Sequence, residues 1–347
     1  MATLSPQRIT AGEAAPDKVG PAPSSFSERA TAAALAVISW VVCHLPEPLV
    51  RGVAELVGLI WYLVAPGRRA QARRNLRRVA KALVEAERAT PGARAAAGSR
   101  FGLERLVVAA FRHVGRYYLE VARAPAFDVE RVSDRVEDRS SGIFAELAAK
   151  GLGQGRGPGK GVILVGLHFG ALEFPSYLLA EAGITLTAPM EVLDNAALQA
   201  YFMRTRSHKG LRLVPQERAR AELVAVLERG EAVGLISDRV VRGRGTPALL
   251  FGHPVRFPAG AALLAMETGV PVYSAAVWRV GGGRYAGRMV RLDFPVTGER
   301  PERIRAFLQA QASAFESFIA EAPEQWWSAF FPIWPDLEAS HVAAAPR

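Results

Sequence analysis

The chain has 347 residues, half of them apolar, which suffices for one large folded domain and is too much for a disordered chain. A formal charge of +10 favours an anionic partner: a nucleic acid, a phospholipid surface or a phosphorylated cosubstrate. The single cysteine, Cys43, excludes an internal disulfide framework and a cysteine-built zinc site, and fits a reducing, cytoplasmic compartment.

Residues 1–26 are rich in Pro, Ser, Ala and Gly and lack the apolar centre and cleavage site of a secretory signal, so they read as a disordered tail. From Ala30 to Pro46 run 17 uncharged residues, and Pro46 and Pro48 then break the pattern before a second apolar segment, VAELVGLIWYLVAP (53–66). Both fall short of the roughly 20 apolar residues of a bilayer-crossing helix. A hairpin lying on the interface is therefore expected, with a buried core hairpin as the alternative. The next stretch, GRRAQARRNLRRVAK (67–81), carries six arginines between 68 and 78 plus Lys81, and no acidic residue. An apolar hairpin followed by a cationic helix predicts attachment to an anionic membrane, at about 1 kcal/mol per basic group near the surface. The plain alternative is a solvated charged face. Nucleic acid is not expected, because no zinc-finger spacing or RNP-like strand accompanies the charge.

Residues 99–125 place Leu103, Leu106, Val107, Ala110, Phe111, Val114 and Tyr118 at helical spacing and predict an ordinary packed helix. The run GLGQGRGPGKG (151–161) superficially suggests a phosphate loop but fails the pattern: Gly follows Lys160 where Ser or Thr is required, and the run precedes its strand. It reads as a flexible surface turn. From 161 onward strands and helices alternate. Strands are predicted at 161–167, 184–190, 212–215, 232–238 and 270–280, with helices between them, which argues an α/β sheet covered on both faces. Functional groups in such a sheet gather at the carboxyl ends of strands. His168, Met190-Glu191 and Asp238-Arg239 all fall there.

A lone strand-end histidine is usually a hydrogen-bonded core residue, but His168 has company. Glu173 follows at H-x-x-x-x-E, a spacing that separates the two side chains by about 140° on an ideal helix. They meet only if His168 sits in the turn before the helix, and Gly170 permits that turn. A carboxylate accepting the imidazole N–H fixes its tautomer and raises its basicity, as a general base requires.

The HFGALE stretch, 168–173, is similar to the H-x4-[DE] motif of the bacterial lipid A biosynthesis acyltransferases (lauroyl and myristoyl transferases) and of their phosphatidylinositol mannoside acyltransferase relatives. Further blocks resemble the family in the same order: RRNL (73–76), ISDR (236–239), LLFGHPVRFPAGAALLAMETGVPVYSAAV (249–277) and PEQWWSAFFPIWP (323–335). The resemblance covers roughly residues 30–336. The resemblance implies a mixed central sheet flanked by helices, of the glycerolipid acyltransferase type. It also implies a membrane-associated enzyme on the cytoplasmic face, peripheral or monotopic, that moves an acyl chain from acyl-CoA or acyl-carrier protein to a glycolipid hydroxyl. That donor is a cosubstrate; no bound cofactor and no metal are implied.

On this reading His168 is the base and Glu173 holds its ring. Arg239 is the first candidate for oxyanion or phosphate contacts, with Arg204 and Arg206 beside it. Glu191 is a candidate for binding the acceptor, and Asp238 orients Arg239 or His168, or only caps its loop. Phe251 and Phe257 are candidates for lining an acyl groove, with core packing as the alternative. Trp326, Trp327 and Trp334 read as structural. No G-x-S-x-G elbow is present. Ser237-Asp238-Arg239 and Ala188-Pro189-Met190-Glu191 depart from the lipid A members' Pro-Asp-Gln and Arg-Pro-Asn strings and lean toward the mannoside branch. The expected organisation is a tail (1–26), membrane-associating helices (27–82), an α/β acyltransferase domain (83–336) and a flexible tail (337–347). A non-catalytic lipid-binding protein and an acyl-thioester hydrolase are the competing readings.

Overall fold

The computed structural model describes residues 25–190, 195–206, 210–216, 219–240, 243 and 245–338. Five helices come first: α1 (Phe26–His44), α2 (Glu47–Val64), α3 (Pro66–Glu85), α4 (Pro91–Gly98) and α5 (Arg100–Arg123). Their starts follow local chemistry. Ser25 and Glu28 form a capping box on α1, prolines occupy the first turns of α2, α3 and α4, and Thr90 and Ser99 cap α4 and α5. A short connection holds α6 (Val129–Ser133), β1 (Val136–Asp138) and α7 (Ile143–Lys150). The expected alternation then runs β2 (Val162–Gly166), α8 (Phe174–Glu181), β3 (Leu186–Met190), α9 (Ala196–Arg206), β4 (Leu211–Pro215), α10 (Ala219–Glu228) and β5 (Ala232–Ile236). A hairpin, β6 (Thr246–Leu250) and β7 (His253–Phe257), precedes α11 (Gly260–Thr268), β8 (Val272–Gly281), β9 (Arg284–Arg291) and α12 (Arg300–Glu321).

The main sheet has the order β1-β9-β8-β2-β5-β3-β4. The five strands predicted from 161 onward are its parallel part, and β9 runs antiparallel to β8, which makes the sheet mixed. The α/β class holds, and the helix predicted over 99–125 is α5, although Tyr118 of its expected packed face is 66% exposed. The glycine-rich run at 151–161 folds into turns ahead of β2.

Among the N-terminal helices the basic tract departs from expectation. Helix α3 packs into the body of the protein. Its Leu76, Val79 and Leu83 belong to the same buried core as Ile163 of β2 and Phe315 of α12, so no seam exists at residue 82. Its arginines are mostly turned onto the protein: Arg73 clamps Glu104, Arg78 pairs with Asp336, and Arg68 and Arg74 donate to the carbonyls of Phe330 and Leu337. Arg69 lies over the Tyr62 ring, and of the six only Arg77 has no partner among the described residues. The apolar hairpin, by contrast, is not the buried core hairpin given as the alternative, and its apolar side chains are largely exposed. Helix α1 buries only Ser39, and α2 buries Val50, Ala54 and Gly58 against α5 while Leu49, Val53, Leu56, Ile60 and Leu63 stay exposed. By length and composition α1 also reaches what a bilayer-crossing helix needs, and α2 and α3 meet at a bend of 98°.

Candidate active site

Strands β2 and β5 are parallel neighbours whose last paired residues are Gly166 and Ile236. His168 and Asp238 each lie two residues further on, so the register carries both out of the sheet side by side. His168 Nδ1 stands 2.6 Å from Asp238 Oδ1, with Asp238 2% exposed and His168 29%. The Trp326 indole N–H donates to the other carboxylate oxygen at 3.2 Å. Burial pushes the Asp238 carboxyl up, but the charge and hydrogen bond of His168, with the Trp326 N–H, outweigh it and hold the group below the usual aspartate value. An ionised aspartate accepting from Nδ1–H leaves Nε2 as the basic nitrogen, on a ring that lines a cavity.

The turn carrying His168 is pinned from several sides. Gly170 has φ +57°, and a Cβ there would strike the Val277 carbonyl, so this position needs glycine. The Gly170 N–H donates to the Gln325 carbonyl at 3.0 Å, and the Trp327 N–H to the His168 carbonyl at 2.9 Å. Behind the turn, the Arg279 guanidinium reaches the Gly170 carbonyl at 3.3 Å and forms a buried pair with Glu120. The segment at 323–335, expected to be purely structural, thus supplies Trp326 to the aspartate and its backbone to the histidine turn.

Of the expected site residues, His168, Glu173, Asp238 and Arg239 come together. The role given to Glu173 is corrected: it lines the same cavity from the start of α8, but Nδ1 is held by Asp238. The cause is the β2–β5 register, which sets Asp238 beside His168 two residues past the last paired positions. Arg239 lines the cavity with its guanidinium 4.0 Å over the Phe331 ring, and its buried Nε has no acceptor among the described residues. Glu191 lies outside the described residues; Arg204 and Arg206 end α9, and their side chains also lie outside them. Phe251 and Phe257 are core residues and not groove walls. Phe257 packs edge-on against Phe315 of α12, and the Phe251 N–H is tied to Glu316 of the same helix, because the β6–β7 hairpin lies on α12.

The cavity measures about 540 Å³ and runs from His168 along the carboxyl edge of the sheet. Small residues hollow it: Gly166, Ala188, Gly234, Ala261 and Ala275 lie along its wall, with leucines around them. A Cβ on Gly166 would come within 2.8 Å of Ile236, and one on Gly234 within 2.9 Å of Leu186. An apolar trough with His168, Glu173 and Arg239 among its few polar groups suits an alkyl chain whose reacting end meets a base.

Residues 24–329 match the family of bacterial lipid A biosynthesis acyltransferases. The chain belongs to that family. Within it, the chain is similar to a phosphatidylinositol mannoside acyltransferase of Mycobacterium tuberculosis, 29% identical over 228 residues that cover 64% of this chain and 68% of the relative. A protein of the same name from Mycolicibacterium smegmatis is 27% identical over 226 residues, 64% of this chain and 70% of its own. A lipid A-type acyltransferase is thus the setting in which the His168–Asp238 pair and the apolar trough are to be understood.

Proposed function

We propose that this protein transfers a fatty acyl chain from an acyl thioester, on coenzyme A or acyl-carrier protein, to a hydroxyl of a phosphatidylinositol mannoside or closely related glycolipid. The observation that carries this reading is the 2.6 Å contact of His168 with buried Asp238 at the head of the trough. Nε2 takes the proton of the acceptor hydroxyl as that oxygen attacks the thioester carbonyl. Asp238 holds the imidazolium that results. The tetrahedral intermediate then collapses, the C–S bond breaks, and the leaving thiolate takes the proton back from Nε2. Arg239 faces the same space and stabilises the oxyanion. No acyl-enzyme is formed. The preference for a mannoside over a lipid A precursor rests on the names of the relatives above and on the strand-end residues that depart from the lipid A strings.

The work is done at the cytoplasmic surface of a membrane, where a lipid acceptor and a soluble thioester meet; the exposed apolar side chains of α1 and α2 support the membrane part of this reading. The test is to incubate the parent and His168→Ala with labelled palmitoyl-coenzyme A and phosphatidylinositol mannosides in detergent, and to follow label by mass spectrometry. Transfer to lipid by the parent, lowered on the order of 10²–10⁴-fold in the variant, is expected. Equal transfer by both removes His168 from the chemistry. Label found only as free palmitate makes the protein a thioesterase, and lipid binding without turnover makes it a binding protein.

A further inference from the structure

A second cavity, about 310 Å³, lies between α2, α5 and the turn joining β8 to β9, apart from the acyl trough. Five arginines line it against three glutamates. Each glutamate already has cationic partners. Glu47 pairs with Arg135 at 2.9 Å, Glu55 is held by both Arg112 and Arg116, and Glu120 is held by Arg279 and by the Tyr285 hydroxyl. Burial pushes Glu55 up, but its two arginines override this and keep it below the ordinary glutamate value, so it stays charged and matched.

The surplus is positive. Arg51 and Arg123 line the cavity with no hydrogen bond or ion pair among the described residues, and two nitrogens of Arg123, Nε and Nη1, are buried with no acceptor. A guanidinium N–H withdrawn from water without an acceptor is costly, and buried charges in proteins are normally matched. The field is felt nearby: His113 on α5 is lowered to about 2, by burial first and then by Arg279, Arg116 and Arg112. Two helix faces aim at the space. Glu47, Arg51 and Glu55 recur at four-residue steps on α2, while Arg116, Glu120 and Arg123 share a face of α5. Gly281, Gly282 and Gly283, all at positive φ, form a rim without side chains.

We propose that this cavity is a binding site for a phosphate group, with Arg51 and Arg123 as its principal ligands. Guanidinium forks match phosphate oxygens in geometry as well as charge. The phosphate belongs either to an anionic phospholipid headgroup, since α2 also carries the exposed apolar stripe, or to a soluble phosphate compound. The inference does not rest on the chemistry at His168.

The test uses the full chain, with His168→Ala as the variant of the other cavity, and measures two things. One is partition into vesicles of phosphatidylcholine with and without one-fifth phosphatidylglycerol; the other is the shift of the thermal midpoint by inorganic phosphate. In the parent and in His168→Ala, phosphatidylglycerol is expected to tighten binding about tenfold or more, and Arg51→Gln and Arg123→Gln each to abolish most of that gain. Arg77→Gln, which removes an exposed arginine of α3, is expected to keep it. Loss of the phosphate-induced midpoint shift in the two cavity variants, with vesicle binding intact, identifies a soluble phosphate as the ligand. If neither readout changes in Arg51→Gln and Arg123→Gln, or Arg77→Gln loses as much as they do, the site does not exist. Should Arg123→Gln fail to fold, Arg51→Gln, on a half-buried side chain of α2, decides.

Discussion

Asp238 has one oxygen on His168 and the other on Trp326, so its charge is spent on orienting the ring. Replacing it with asparagine keeps the shape and removes the charge that stabilises the imidazolium, so Asp238→Asn is expected to lower kcat by about 10²–10⁴-fold with little change in KM for the thioester. Glu173→Gln, which leaves the Nδ1 contact intact, is expected to cost much less. Steady-state rates of the two variants decide: a fall confined to Glu173→Gln makes the pair His168–Glu173. The sequence disclosed His168, because an apolar run ending in Leu167 marks the end of a buried strand. It put Glu173 first and offered orientation of His168 only as one of several roles for Asp238, because Glu173 is five residues away and Asp238 is seventy. Only the β2–β5 register brings Asp238 alongside, and neighbouring strands are not readable from one chain. Trp326, further still along the chain, gave no polar signal among the aromatic residues around it.

At the scale of elements, the crossing of α2 and α5 carries the most information. Gly58 faces the carbonyl of Phe111, and Gly115 faces that of Ala54, so the two backbones touch where side chains would ordinarily separate them. Helix propensity alone predicts that Gly58→Ala stabilises α2 by up to about 1 kcal/mol. The crossing predicts the opposite sign, because the new methyl lands on backbone that cannot rotate away, and overpacking of this kind costs about 1–3 kcal/mol. A lower urea midpoint for Gly58→Ala is expected, and a higher one would mean that the helices do not approach so closely. The elements that were legible share a strong period: α5 over 99–125 and the five parallel strands, all apolar and bounded by turn residues. The β6–β7 hairpin was not legible, since Pro247 and Pro254 argue against a strand and are tolerated here only because the pair is a two-stranded ribbon outside the main sheet. Strand β9 escaped because glycine and arginine dilute its alternation.

For the whole molecule, the cationic tract and the apolar hairpin exchange the weights that their sequences suggested. Most charge in the tract faces inward or sideways: Arg73 and Arg78 are neutralised by Glu104 and Asp336, and Arg68 and Arg74 are tied to the carboxyl-terminal segment. Arg77 and Lys81 stay exposed, but the larger exposed set is apolar and lies on the hairpin, including Trp40 at 64% exposure and Leu63 at 67%. On the proposed membrane-bound reading, attachment is driven mainly by burial of side chains in the interface, at about 1.5–3 kcal/mol for each large one fully withdrawn from water. Leu56 and Ile60, four residues apart on the exposed side of α2, test this cleanly because neither belongs to the core. The double variant Leu56→Asp/Ile60→Asp is expected to lose roughly 100-fold or more in partition to phosphatidylcholine vesicles, an estimate from that same burial figure, while its unfolding midpoint stays within a few degrees. High salt is expected to weaken the parent's binding to such neutral vesicles only slightly, since screening acts on charge and not on apolar burial. Unchanged partition of the double variant would place the membrane-facing surface elsewhere. A collapse of the midpoint would mean that these side chains pack against protein and that α2 is a core helix after all.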